Sequence, residues 1–167
     1  MTTNSEATAE RALAGAGSVL DVAEEVRHLV RRSAGADGAT FVLREGDRCF
    51  YVEEDAIAPL WKGQRFAIET CISGWAMLHH EVAVVPDIEV DERIPLAAYR
   101  PTFVRSLLMV PVGEPEPVAA IGAYWASLHT ATDDEVRRLT DLATVTARAL
   151  ERVGLDDAPW APNFRED

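Results

Sequence analysis

An α+β fold built on an antiparallel sheet is the reading this 167-residue sequence predicts. Two observations carry it. Apolar stripes at helical spacing lie near both ends of the chain, and the β-rich runs between them are joined by short turns. The length fits one domain with a real hydrophobic core. A content of 48% hydrophobic and 26% charged residues is a globular balance.

The first helix is read from Ser18, where Val19, Val22, Val26 and Leu29 recur at three- and four-residue steps. It stops at Gly35 and Gly38. Residues 1–17, small and polar, read as a flexible or partly helical leader. "ATFVLREGDRCFYVEED" reads as a hairpin turning at Gly46 and Asp47. "APLWKG" reads as a breaker and "QRFAIE" as a short strand. "SGWAMLHHE" reads as a short helix capped by Ser73 or Thr70, and "VAVVPDI" as a buried strand ending at Pro86. "DERIPLAAYRP" is irregular or a helical turn, closed by Pro101. "VRSLLMVPV" and "VAAIGAYWAS" are strands around "GEPEP", apolar on both faces and therefore central.

The last helix opens with Thr132 and Glu135 in capping-box spacing. Val136, Leu139, Ala143, Thr146, Leu150 and Val153 then step at heptad spacing for about two and a half repeats. An exposed part of that stripe would pair across a two-fold axis, so a homodimer through the terminal helices is expected. The domain is placed at 18–153 and a C-terminal tail at 154–167. The end helices cover one face of the sheet, and the segment 55–103 is left to roof the other.

The formal net charge of −12 disfavours binding to phosphate backbones and to anionic membrane surfaces. The apolar runs are too short to span a bilayer, and the N-terminus lacks the pattern of a secretory signal. Cys49 and Cys71 make neither a metal-type pair nor a disulfide framework. A reducing cytoplasm is the expected location.

Between about 20 and 153 the order and spacing of these pieces resemble the GAF domain, a sensory relative of the PAS domain. The carrying residues are "ADGATFVLREGDRCFYVEE", "ISGWAMLHHEVAVVPDIEVDERI", "VRSLLMVPV", "PVAAIGAYWAS" and the helix from "TDDEVRRLTDLA". "RIPLAAYRPTFVRSLLMVPV" with "IGAYWA" looks like the GAF modules of bacterial sensor histidine kinases. The resemblance implies a six-stranded antiparallel sheet with helices on one face. The roof on the other face often encloses a small-molecule pocket. Family members bind cyclic nucleotides, bilins, haem or small metabolites, and others serve as dimer parts. Implied partners are therefore a small-molecule ligand, a second copy, and a histidine kinase or other signalling protein. The sequence names no cofactor.

The stretch 91–103 lies where the pocket roof would be. Arg93, Tyr99 and Arg100 offer contacts to an anionic or aromatic ligand. In the plainer reading Asp91, Arg93 and Arg100 are a solvated loop face, while Ile94, Leu96 and Phe103 close the core. If a cavity exists, its expected walls are Phe66, Trp75, Tyr99, Met109 and Tyr124, with Cys71 beside it. Tyr124 and Trp125 are adjacent on a strand, so one faces the roof and the other the helices.

Specific ligand motifs are incomplete. The phytochrome variant places an Asp-Ile-Pro loop over its bilin, and in "DERIP" the acid is two residues removed; His129 alone of the histidines follows the loop. The phosphodiesterase type is matched only by the acids of "DDE" at 133–135, which also suit a helix N-terminus. His79 and His80 are adjacent and so do not share a helix face. No nucleophile triad or Gly-rich phosphate loop is present in the sequence. Cys71 stands near a helix start, where a thiol pKa can fall, although a buried inert thiol explains it too.

Three functions remain open. The first is a non-catalytic sensory or regulatory module signalling through its end helices, which predicts a cavity under 91–103. The second is a ligand-free dimerisation or interaction module, which predicts a roof packed solid by Trp75, Ile94 and Phe103. The third is a redox enzyme of the free methionine sulfoxide reductase type, which predicts Cys49 within disulfide reach of Cys71.

Overall fold

The computed structural model describes residues 2–155, and the expected tail lies outside the described residues beyond Leu155. Helices α1 (Thr2–Leu13) and α2 (Val19–Ala34) come first, followed by strands β1 (Gly38–Glu45), β2 (Arg48–Ala56) and β3 (Arg65–Ala67). Helix α3 (Ile72–His79), strand β4 (Ala83–Val85) and the short helix α4 (Leu96–Tyr99) form the middle. Strands β5 (Ser106–Val112) and β6 (Ala119–Trp125) and helix α5 (Asp133–Val153) complete the described chain. Among the described residues six strands make one antiparallel sheet in the order β3-β2-β1-β6-β5-β4. The fold is α+β, as the sequence predicts.

Alternation along the strands divides the interior in two. Phe41, Leu43, Phe50, Val52, Leu108, Val110, Ile121 and Trp125 point to the helix side, against α1, α2 and α5. Val42, Cys49, Tyr51, Leu107, Met109 and Tyr124 point to the roof side, against α3 and the loops. Trp125 and Tyr124 therefore part as alternation requires.

The helix-side elements form for reasons legible in the chain. Ser18 caps α2 by accepting from the Asp21 amide, and Gly35 closes it in the left-handed region with φ 60°. The capping box of α5 is complete, with the Glu135 amide donating to Thr132 and the Thr132 amide to Glu135. Part of the leader is helical, as α1. Ala9, Leu13 and Ala16 step by four and three and bury their side chains. Arg152 donates to the carbonyls of Leu13 and Ala16, tying the end of α1 to α5.

The heptad stripe of α5 is consumed inside the chain. Leu139, Ala143, Thr146 and Leu150 are buried, while Val136 and Val153 pack on the same core. The outer face of α5 carries Arg137, Arg138, Thr140, Thr144, Arg148 and Glu151. An exposed apolar seam thus gives no support to a dimer through this helix.

Thr146 is fully buried, and its hydroxyl finds no partner among the described residues. An unpaired buried hydroxyl opposes folding, and valine has nearly the same shape. Thr146→Val should raise stability by about 1 kcal/mol. Chemical denaturation checks this, and a loss of stability would contradict it.

Candidate functional site

The roof-side cluster is the candidate site, because it gathers most of the residues expected to line a pocket. Met109 from β5 and Tyr124 from β6 form part of its floor. Gly122 makes room for the tyrosine: a Cβ there would lie 2.7 Å from the Tyr124 hydroxyl and 2.8 Å from Met109 Cε. The phenol so laid across the sheet shares a hydrogen bond of 2.8 Å with Thr40 Oγ1. Tyr51, two residues beyond Cys49 on the same face of β2, shares one of 2.9 Å with Ser73 Oγ on α3. Burial pushes the pKa values of Tyr51, Tyr99 and Tyr124 up, so all three phenols stay protonated at neutral pH.

The centre of the cluster is Trp61, delivered by the β2–β3 connection. Its ring is 5.6 Å from Tyr51, 4.7 Å from Tyr99 and 5.5 Å from Tyr124, in tilted and edge-on contacts. The indole N–H donates to the Ala98 carbonyl at 3.0 Å. The connection is fastened by Glu54, whose carboxylate accepts from the backbone amides of Leu60, Trp61 and Lys62, each at 2.9 Å. The Gly63 amide and the Gln64 carbonyl complete the attachment by bonding the Tyr51 backbone. Glu54→Gln turns part of this acceptor pair into a donor facing amide donors. It should cost about 1–3 kcal/mol, read by urea denaturation, and an unchanged midpoint would show that the connection holds without the carboxylate.

In the roof stretch 91–103 the apolar residues turn inward. Ile94 and Tyr99 are buried, and Leu96 and Phe103 pack on the cluster. Arg93 does not offer its fork to the interior. It donates to Asp91 through Nε at 2.9 Å and Nη2 at 2.7 Å, and its guanidinium lies 4.4 Å over the Trp75 ring. That pairing holds the Asp91 carboxyl below the ordinary range. Arg100 is exposed. Trp75 sits at the rim, half-buried, between Arg93 and a stacked His79 ring at 4.6 Å. Phe66 packs at the rim as well, with its ring 5.5 Å from Tyr51.

Cys71, rather than Ser73 or Thr70, occupies the N-cap of α3, in extended conformation. Its sulfur is 3.4 Å from Ser73 Oγ and 3.7 Å from the Ala67 carbonyl. Cys49 is buried in the same cluster, on β2 opposite Phe66. Sequence reasoning missed Trp61, Tyr51, Thr40, Ser73 and Glu54. The signal for Trp61 was present, since an aromatic ring in a loop of Pro and Gly must be buried somewhere. No group of three or more His, Cys, Asp or Glu among the described residues could hold a metal ion. No described helix is long and apolar enough to cross a membrane. A groove of about 460 Å³ lies elsewhere, between α5 and the β5–β6 turn, bordered by Pro117, Val118, Thr144, Ala147 and Leu155.

The family profile of the GAF domain matches residues 16–151. The chain belongs to the GAF domain family. A comparison with curated proteins finds no match. Solved structures show the same GAF architecture at low identity. The GAF domain of an Acinetobacter phosphoenolpyruvate-protein phosphotransferase superposes with a TM-score of 0.78 at 12% identity, covering 91% of this chain and 94% of that one. A free methionine-R-sulfoxide reductase of Neisseria meningitidis, solved with its substrate, gives 0.77 at 16% identity, covering 92% and 90%. The chromophore-binding domain of an R. palustris bacteriophytochrome gives 0.72 at 14% identity, covering 90% of this chain and 61% of that one. At such identities the likeness concerns the GAF fold alone.

Proposed function

We propose that this GAF domain is a non-catalytic regulatory module of signal transduction. It works through contacts with other signalling proteins, a histidine kinase among the candidates, and its roof-side chamber serves as a structural core. The observation that carries this reading is Trp61. Its indole fills the space between Tyr51, Tyr99 and Tyr124, and its N–H is already paired. The roof above it is closed by Ile94 and Tyr99. A binding site needs volume and unspent polar groups. Here the volume is occupied, and the fork of Arg93 is spent on Asp91.

The chemistry of the chamber favours one second reading. Three tyrosines around an indole would also suit a planar ligand, provided the Trp61 connection swings out. A ligand at 100 times its Kd stabilises by about 2.7 kcal/mol, which raises Tm by roughly 5–10 °C for a chain of this size. Thermal unfolding against cyclic nucleotides, haem, biliverdin and free amino acids therefore separates the readings. Shifts near zero are expected, and a saturable shift of several degrees would replace the first reading with the second. A homodimer through α5 would have to use its polar outer face, since its apolar stripe is buried. The oligomeric state measured over a concentration series decides whether self-association belongs to the module's action.

A further inference from the structure

Two thiols meet at one end of the roof-side cluster, and nothing in the regulatory reading uses them. Cys49 lies on β2, opposite Phe66 of the edge strand β3. Cys71 lies just beyond β3, with its sulfur against the carbonyl of Ala67, and Ala67 pairs with Arg48, the neighbour of Cys49. The sheet register therefore brings the two side chains to the same corner from 22 positions apart in sequence, and both are buried in the roof-side cluster there. Ser73 Oγ stands 3.4 Å from the Cys71 sulfur and is itself fixed by the Tyr51 phenol.

We propose that Cys71 and Cys49 form an oxidisable dithiol site that small hydroperoxides close into a disulfide. The two sulfurs have separate parts. The hydrogen bond from Cys49, with Ser73 adding to it, holds the Cys71 thiol down to about 7 against the effect of burial. The same contact, together with burial, pushes Cys49 up. Of the two, Cys71 is therefore the thiol that ionises more readily and Cys49 the one that holds its proton. Cys71 also lies nearer to solvent. Its relative exposure is 6% against 0% for Cys49, and the preceding residues Glu69 and Thr70 are exposed. Both sulfurs are buried, so a small uncharged oxidant is the fitting class, and a hydroperoxide is one.

The reaction balances in two steps. The Cys71 thiolate attacks the peroxide; an S–O bond forms, the O–O bond breaks, and the departing hydroxide or alkoxide takes a proton from solvent to leave as water or as an alcohol. Cys49 then attacks the sulfenic sulfur; the S–S bond forms, the S–OH bond breaks, and the second hydroxide leaves as water with the Cys49 proton. Two thiols are oxidised by two electrons and one hydroperoxide is reduced. The site goes beyond the regulatory reading and stands whether or not that reading holds.

The test treats the reduced full chain with a small excess of hydrogen peroxide. The protein is then denatured in an alkylating reagent, and the alkyl groups on the intact chain are counted. Before oxidation the count is two. After it, the expected count is zero, in a chain that stays single on a non-reducing gel and regains both thiols with dithiothreitol. Cys49→Ser should stop at a sulfenic acid on Cys71 that dimedone traps, and Cys71→Ser should slow thiol loss by about tenfold or more. Two alkyl groups surviving peroxide would overturn the proposal. So would oxidation that leaves Cys49 alkylated, or a disulfide that joins two chains. The wild-type count decides the matter even if a serine variant fails to fold.

Discussion

Trp61→Ala is expected to destabilise the domain by about 3–5 kcal/mol, the range for removing a buried aromatic side chain. The residue is 5% exposed and touches three buried tyrosines. Removing the indole loses its transfer free energy, opens a cavity between sheet and roof, and leaves the Ala98 carbonyl without its donor. The neighbours are poorly placed to fill the gap. Tyr51 and Tyr124 are pinned by hydrogen bonds to Ser73 and Thr40. Urea denaturation followed by circular dichroism measures the loss, and Trp75→Ala provides the contrast. That ring is half-buried at the rim and should cost much less. Similar losses for both tryptophans would refute the assignment of Trp61 as the centre of the cluster.

Gly74→Ala should be nearly as damaging, although it adds a single methyl group. A Cβ at Gly74 would lie 1.7 Å from the Ile68 carbonyl oxygen and 2.6 Å from its carbon. Those are backbone atoms of the turn that leads into α3, and no rotamer change relieves the contact. Overpacking of a core usually costs about 1–3 kcal/mol. Here the first turn of α3 must separate from residues 68–70, so about 3 kcal/mol or more is expected. The same displacement would move Ser73 away from both Tyr51 and Cys71. Denaturation gives the stability change, and the reactivity of the Cys71 thiol reports the displacement. A variant with wild-type values in both would mean that the helix and the turn separate easily.

Much of the fold was legible because its signals are periodic. The stripe Val19, Val22, Val26, Leu29 and the box Thr132–Glu135 act locally, and the structure keeps both. The alternation of Tyr124 and Trp125 implied that the two rings part to opposite layers, and the structure shows which goes where. What stayed hidden depends on contacts between residues distant in sequence. Trp61 reaches Tyr99 and Tyr124 across 38 and 63 positions, and nothing in "APLWKG" says where its ring goes. Arg93 was legible as a charged roof residue, but its pairing with Asp91 and stacking on Trp75 were not. The packing of the leader was hidden because Ala9 and Ala16 are small, so a buried stripe looked like a neutral one. The heptad of α5 was read correctly as a stripe, and only the tertiary structure shows that the sheet and the other helices use it up.

The central claim is that the chamber under the roof is filled by the protein's own Trp61. Native mass spectrometry of the full chain, purified from cells without unfolding, tests it most directly. The predicted result is the mass of the polypeptide alone, or of an integral number of chains, identical before and after denaturation. A stoichiometric small-molecule mass that is lost on denaturation would contradict the account.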